Sequence, residues 1–226
     1  MTEDLLARDW ASATAGETRG LRTTFLFAQL LSMCQKYDYV FFDMGPSLGS
    51  INRSVLISAD FFINPMSIDI FSIRAIENIT VSLRQWRKLL ETGLELNTEP
   101  DELPAKTAGW NLRFAGYVTQ QYLAKTKEGE RRAVHAYERI MKRIPTVIRH
   151  EYIAKLQVDF PDIDYNLGTV PNLHSLVPMS QTSRKPIFLL KARDAVRGAH
   201  FTKVRDSKEI FERIANNIES NVRQLA

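Results

Sequence analysis

At 226 residues, with 44% hydrophobic and 25% charged side chains, the chain can bury a substantial core and reads as one domain, residues 1–226. Its 30 Lys and Arg against 26 Asp and Glu leave a net charge of +4, and no run of about 18 apolar residues offers a membrane span. A single cysteine, Cys34, excludes a disulfide framework and a four-cysteine metal cluster within one chain, and with no apolar signal region at the N-terminus this composition suits the cytoplasm.

Thr2 to Arg19 is polar and mixed, and reads as a loop plus a short, poorly anchored helix. Leu21 to Met33 places Leu21, Phe25, Phe27, Leu30 and Leu31 at helical spacing. After a turn at Lys36 and Tyr37 comes Val40, Phe41 and Phe42, too short and too apolar for a surface helix. These three predict a buried parallel strand ending at Asp43. Ser50 to Ser58 predicts a helix, and Phe61 to Asn64 the next buried strand. Phe71 to Leu90 predicts a long helix with Ile73, Ile76, Ile79, Leu83, Trp86 and Leu90 on its core stripe.

Glu91 to Thr107 is an acidic loop with prolines, followed by a strand from Leu112 to Thr119. Glu130 to Ile148 has a helical reading in which Arg131 and Arg132 face a nucleotide phosphate or a partner subunit. The last helix, Asp206 to Leu225, lines up Ile210, Phe211, Ile214, Ile218, Val222 and Leu225. Its polar face carries Glu209, Glu212 and Glu219, which anionic lipids repel, so it closes the sheet rather than lying on a membrane. Alternating strands and helices predict an α/β fold with a mainly parallel sheet. The four histidines, His135, His150, His174 and His200, show no short ligand spacing and read as surface or loop residues.

Asp43 carries the most chemistry. The carboxyl end of a parallel strand is where open α/β sheets bind ligands. In P-loop nucleotidases a carboxylate there holds magnesium, usually through water. The plainer role is a cap on the following turn.

The residues that follow resemble the ParA/MinD-type partition ATPases, a branch of the P-loop fold with a deviant phosphate loop. Asp43, Pro46, Ser47, Leu48 and Gly49 look like that family's magnesium strand and switch. Asn52, then Ala59-Asp60-Phe61-Phe62-Ile63-Asn64-Pro65, is similar to its next helix and strand. Gly168 to Asn172, followed by Met179-Ser180-Gln181 and Lys185-Pro186-Ile187, resembles the late strand and the adenine-side loop. The resemblance runs from about Tyr37 to the C-terminus. Gly45 departs from it, since most members carry proline there; glycine loosens the switch and leaves a backbone N–H for a phosphate.

One part of the pattern is missing. A phosphate loop needs Gly-Lys-Ser/Thr, and none of the ten glycines is followed by lysine. The expectation is a three-layer P-loop-type fold without its first strand and phosphate loop, read from a chain truncated at its N-terminus. As written, this chain should hydrolyse no ATP.

Two basic regions follow. One spans Arg113 to Lys155, and the other holds Lys185, Lys191, Arg193, Arg197, Lys203 and Arg205; the pI is near 9.2. The resemblance implies that the second set contacts non-specific DNA, with affinity that falls steeply with salt. The plainer reading is a solvated helix face.

The resemblance implies an ATP-dependent homodimer on non-specific DNA, at the nucleoid, that partitions plasmid, chromosome or other cargo with the help of a ParB-like stimulating partner and without a membrane. ATP and Mg2+ are the implied cofactors. Asp43 would hold the metal shell, Gly45, Pro46 and Ser47 would sense the γ-phosphate, and Pro171 and Asn172 would border the adenine. The alternative is a P-loop-free paralogue acting as a DNA- or protein-binding module. A metabolic relative such as an amide synthetase or a dethiobiotin-type synthase shares the fold but usually lacks a basic C-terminal half.

Overall fold

The computed structural model describes residues 2–103, 109–122, 124–127, 130–133, 135–157 and 161–226, with the side chains of 121–137 outside that description. In chain order the elements begin with helices α1 (Thr2–Thr14), α2 (Thr18–Thr24), α3 (Leu26–Ser32) and α4 (Ser50–Ser58). Strand β1 (Phe61–Ser67) and the long α5 (Ile70–Leu96) come next. Strands β2 (Arg113–Tyr122), β3 (Ala124–Lys127) and β4 (Glu130–Ala133) precede α6 (His135–Ile148). A π-helical turn at Arg149–Ile153 leads into α7 (Ala154–Leu156) and β5 (Asn166–Pro171). Helices α8 (Leu176–Ser183) and α9 (His200–Leu225) close the chain.

Strands β1, β2 and β5 form one sheet in that order, with β2 and β5 parallel. This is the α/β fold expected from the alternation, in the form of a P-loop-type fold without its first strand. The chain divides into two compact units. Met1–Phe62, Glu77–Phe114 and Glu151–Val158 make the first; Ile63–Ile76, Ala115–His150 and Asp159–Ala226 make the second.

In the first unit the N-terminus is well anchored, contrary to the expectation of a loose loop. Helix α1 buries Leu6, Asp9 and Ala13 and packs on α2 and α4. Its approach to α2 and α5 depends on two glycines. A Cβ on Gly20 would collide with the backbone of Ala13, and a Cβ on Gly93 with the Ala13 carbonyl. Ala13, Leu21, Phe25, Ile57 and Leu90 form the resulting core, flanked by Trp10 and Trp110. The helix predicted over Leu21 to Met33 is broken at Phe25, whose ring is buried while its backbone turns away from helix (ψ 18°). Beyond it α3 buries no residue.

The buried strand predicted at Val40 to Phe42 is not formed. Residues 37–49 are irregular, and Phe41 is 74% exposed. An apolar run supplies a reason for burial, but a strand gets its backbone hydrogen bonds from a neighbour, and among the described residues none pairs with this segment. Phe42 instead sets its ring edge-on to Phe27, 5.8 Å between centroids. Strand β1 does form and runs longer than predicted, to Ser67, but only Met66 is buried in it. Phe62, Phe114 and Tyr152 stack into an aromatic knot with centroids 4.7–5.2 Å apart. Burial, and then the neighbouring Glu151, push the Tyr152 hydroxyl far up from its ordinary value.

Most of the predicted stripe of α5 is core: Ile73, Ile76, Leu83, Trp86 and Leu90 are buried, whereas Ile79 is only half-buried. The helix runs on to Leu96, into residues read as an acidic loop.

In the second unit α9 lies on the sheet as expected, starting earlier, at His200. Ile214 packs with Val118 and Leu167, flanked by Ile210 and Ile218. Asn221 Nδ2 donates to the carbonyls of Ala115 (2.8 Å) and Asp164 (2.9 Å), and Asn217 Nδ2 to that of Leu167 (3.1 Å). Tyr117 is pushed up to about 12 by burial, with the Asp164 carboxylate adding to the shift. The helix read from Glu130 is corrected at its start: 130–133 pair as strand β4 against β3, and the helix begins at His135.

Candidate functional site

Asp43 lies in the irregular loop ahead of α4. Its side chain is exposed and makes no hydrogen bond or ion pair with any described residue. It does not cap the following turn. The residue that shapes this loop is Asn52, in the first turns of α4. Its Nδ2 donates to the carbonyls of Gly45 (2.8 Å) and Ser47 (2.6 Å), drawing 45–47 over the start of the helix. Two carbonyls held by one buried amide fix the loop's course while Asp43, Gly45, Pro46 and Ser47 stay exposed. A Cβ on Gly45 would meet nothing within 4 Å, so the glycine there is not demanded by packing.

Helix α4 is itself tied to α1. Ser50 Oγ donates to the Glu3 carbonyl (2.7 Å), and Arg53 Nη2 donates to the Leu6 carbonyl (3.0 Å). Arg53 also stacks on the Trp10 ring at 4.2 Å, and its burial lowers its pKa. Ser54 Oγ donates to the Thr24 carbonyl (2.6 Å). The loop therefore stands on a helix braced by polar contacts that no sequence pattern announces. Asn52 was legible only through the resemblance; its role as the loop's anchor was not.

A lone exposed carboxylate in a fixed loop fits a hydrated magnesium ion held through water, not a direct multi-ligand site. Among the described residues no group of three or more metal-ligating side chains occurs. Asp69 is accounted for otherwise, since its Oδ1 accepts from the Ser72 N–H (2.7 Å) at the start of α5.

In the second unit Pro171 ends β5, and Asn172 Oδ1 accepts from the His174 N–H (2.9 Å). His174 is held at φ 44°, so the chain turns sharply at the carboxyl end of this strand. Thr119 and Thr169, opposite one another on β2 and β5, share a hydrogen bond of 2.7 Å beneath that turn.

Lys191, Arg193, Arg197, Lys203 and Arg205 are exposed. Lys185 is not part of that open set: its Nζ lies 2.6 Å from Asp194 Oδ1, with the carboxylate 8% exposed. The hydrogen bond from Lys185, seconded by the Lys191 backbone N–H, holds Asp194 below its ordinary value. His200 departs from a plain surface residue, because its Nδ1 is buried without a partner among the described residues while Nε2 contacts Ser175 Oγ at 3.2 Å. No described helix is long and apolar enough to cross a membrane.

Residues 11–96 match the family model of an AAA domain. The match covers the loop, α4, β1 and α5, and it supports a P-loop NTPase family. No curated protein matches the chain. Among solved structures, that of protein DIP2308 from Corynebacterium diphtheriae is similar, with a TM-score of 0.57 and 23% identity. The alignment takes in 99% of this chain but 61% of that one, and at this identity the likeness shows the fold alone.

Proposed function

We propose that this chain is a ParA-like ATPase or the larger C-terminal part of one, an enzyme that dimerises around ATP and Mg2+ on DNA of any sequence and so positions a plasmid, a chromosome or other cargo. The observation that carries the reading is Asn52, whose amide holds the Gly45 and Ser47 carbonyls and leaves Asp43 free in an exposed loop inside the AAA match. In this role Asp43 holds the water shell of the metal. Gly45 and Ser47 would read the γ-phosphate through their backbone N–H groups and the Ser47 hydroxyl, with Pro46, which has no N–H, fixing the turn between them. Pro171 and Asn172 border the adenine. Magnesium supplies charge neutralisation on the phosphates. Residues 45–47 would be the element that responds to whether a γ-phosphate is present, and the dimer would depend on them. Lys191, Arg193, Arg197, Lys203 and Arg205 carry the DNA contact, with Lys185 buttressing them through Asp194. A ParB-like partner stimulates turnover, and the site of action is the nucleoid in the cytoplasm.

The test is turnover in the full-length gene product. Asp43→Asn removes one charge from the metal shell and should cost orders of magnitude in magnesium-dependent ATP hydrolysis while leaving the unfolding midpoint in place. Near-normal turnover in that variant removes Asp43 from the mechanism and makes Asp60 the next carboxylate to examine.

A second reading, a P-loop-free binding module, is favoured by one fact: no glycine in the chain is followed by lysine. If the full-length product with Asp43 intact binds DNA or protein but turns over no ATP, this reading replaces the first. These 226 residues alone should show no ATP turnover on either reading.

A further inference from the structure

Helix α1 carries an acid to the loop ahead of α4. Ser50 Oγ donates to the Glu3 carbonyl (2.7 Å) and Arg53 Nη2 to the Leu6 carbonyl (3.0 Å), so the start of α1 is fixed on the start of α4. That seat lays the Glu3 side chain against the loop. A Cβ on Gly49 would stand 2.6 Å from Glu3 Oε1 and 3.5 Å from Ser47 Oγ, so the carboxylate and the Ser47 hydroxyl flank the same point of the backbone. Glu3 is exposed, and its side chain makes no hydrogen bond or ion pair with a described residue.

The neighbouring sequence does not offset this charge. From Tyr37 to Ser58 the acids are Asp38 and Asp43, and the only cation is Arg53. Arg53 is already committed to the Leu6 carbonyl and the Trp10 ring. The first N–H groups of α4 have no side-chain cap and by themselves would draw any anion. Glu3 removes that indifference. A bare phosphate arriving at Gly45 and Ser47 meets like charge from Glu3 and Asp43. A phosphate already neutralised by a hydrated divalent cation meets two carboxylates able to accept from the cation's water. We infer that Glu3 is a specificity-determining residue of this loop, one that turns away bare phosphate and admits it as the magnesium complex. The inference rests on the phosphate-reading role proposed for residues 45–47 and adds to it a residue from another helix.

The experiment titrates the full chain with pyrophosphate, with and without Mg2+, and follows the backbone amide shifts between Gly45 and Asn52 by NMR. The unmodified protein should bind the magnesium complex more tightly than bare pyrophosphate. Glu3→Gln should gain about two- to fivefold in affinity for bare pyrophosphate, the usual size of one charge at a helix N-terminus, and gain nothing for the magnesium complex. Glu95→Gln is the control for overall charge. It lies on α5 next to Leu96, which meets Gly16 past the far end of α1, about 20 Å from Glu3, and should leave both affinities unchanged. Equal gains for the two forms of pyrophosphate, or the same gain in Glu95→Gln, overturn the inference. A Glu3→Gln protein that only unfolds at a lower temperature, with unchanged affinities, also overturns it and leaves Glu3 as a stabilising charge at the end of α4. No shift at these amides in any of the proteins sinks it too, whereas the ATPase reading is judged separately by Asp43→Asn turnover in the full-length product.

Discussion

Residues 37–49 and residues 166–172 start from the same kind of sequence: an extended, partly apolar run that ends in turn formers, where a ligand edge is expected. The second run is a strand. Its backbone is paired with β2, Leu167 is fully buried, and α9 covers it through Ile214 and two asparagine amides. The first is a bare loop with Tyr37, Tyr39, Val40 and Phe41 all exposed. Apolar content is as high in the loop as in the strand, so content is not what separates them. A strand requires an edge to bond to and a layer to cover it, and only the second run has both.

The largest test of that contrast is a pair of truncations. Leu167→Ala opens a cavity in a sealed core and should cost about 2–5 kcal/mol. Phe41→Ala removes a larger side chain from the bare loop and should cost about 0.5 kcal/mol or less. Urea unfolding of both variants gives the comparison. A Phe41 effect as large as that of Leu167 would mean that the loop is buried in solution and that the strand forms after all.

Next in size are two asparagines that each hold a pair of carbonyls. Asn221→Ala leaves the buried Ala115 carbonyl, and the partly buried one of Asp164, without their donor, at a cost of about 1–3 kcal/mol. Asn52→Ala frees the Gly45 and Ser47 carbonyls in an exposed loop where water replaces the amide, at about 1 kcal/mol or less. Its signature should be local: limited proteolysis between 43 and 49 should speed up in Asn52→Ala and stay at the unmodified rate in Asn221→Ala. Equal cleavage in the two would deny Asn52 its hold on the loop.

What the sequence disclosed divides along physical lines. The α4 boundaries at Ser50 and Ser58, the buried stripe of α5 and the covering face of α9 were all readable, because helical periodicity is a local property. Three features depended on partners that residue spacing does not disclose. Helix α1 looked unanchored because its fit rests on Gly20 and Gly93, whose missing side chains matter only once the helices meet. Residues 130–133 carry good helix formers, yet they pair across a hairpin with 124–127, and pairing overrides propensity. Asp43 was found by its place after an apolar run, and the strand that motivated the choice is absent. Its neighbour Asn52 did not enter the site until its two hydrogen bonds were seen, since an amide's partners are not written in its spacing.

The smallest expected effect is a pH dependence in the second unit. Lys185 and the Lys191 N–H both donate to Asp194, which lowers its pKa below the ordinary 3.8. A carboxylate held lower in the folded state than in the unfolded one adds stability above the unfolded value. That contribution is complete above about pH 5, begins to fall as pH drops past 3.8, and is lost once pH passes through the folded value. Asp194→Asn should therefore differ from the unmodified protein by a constant amount between pH 5 and 7, and the gap should begin to close as the pH falls past about 4 and vanish below the folded value. Thermal unfolding midpoints of the two proteins, measured from about pH 2.5 to 7, decide it. A gap for Asp194→Asn that widens as the pH falls would reverse the sign and show that the carboxylate is held above its ordinary value.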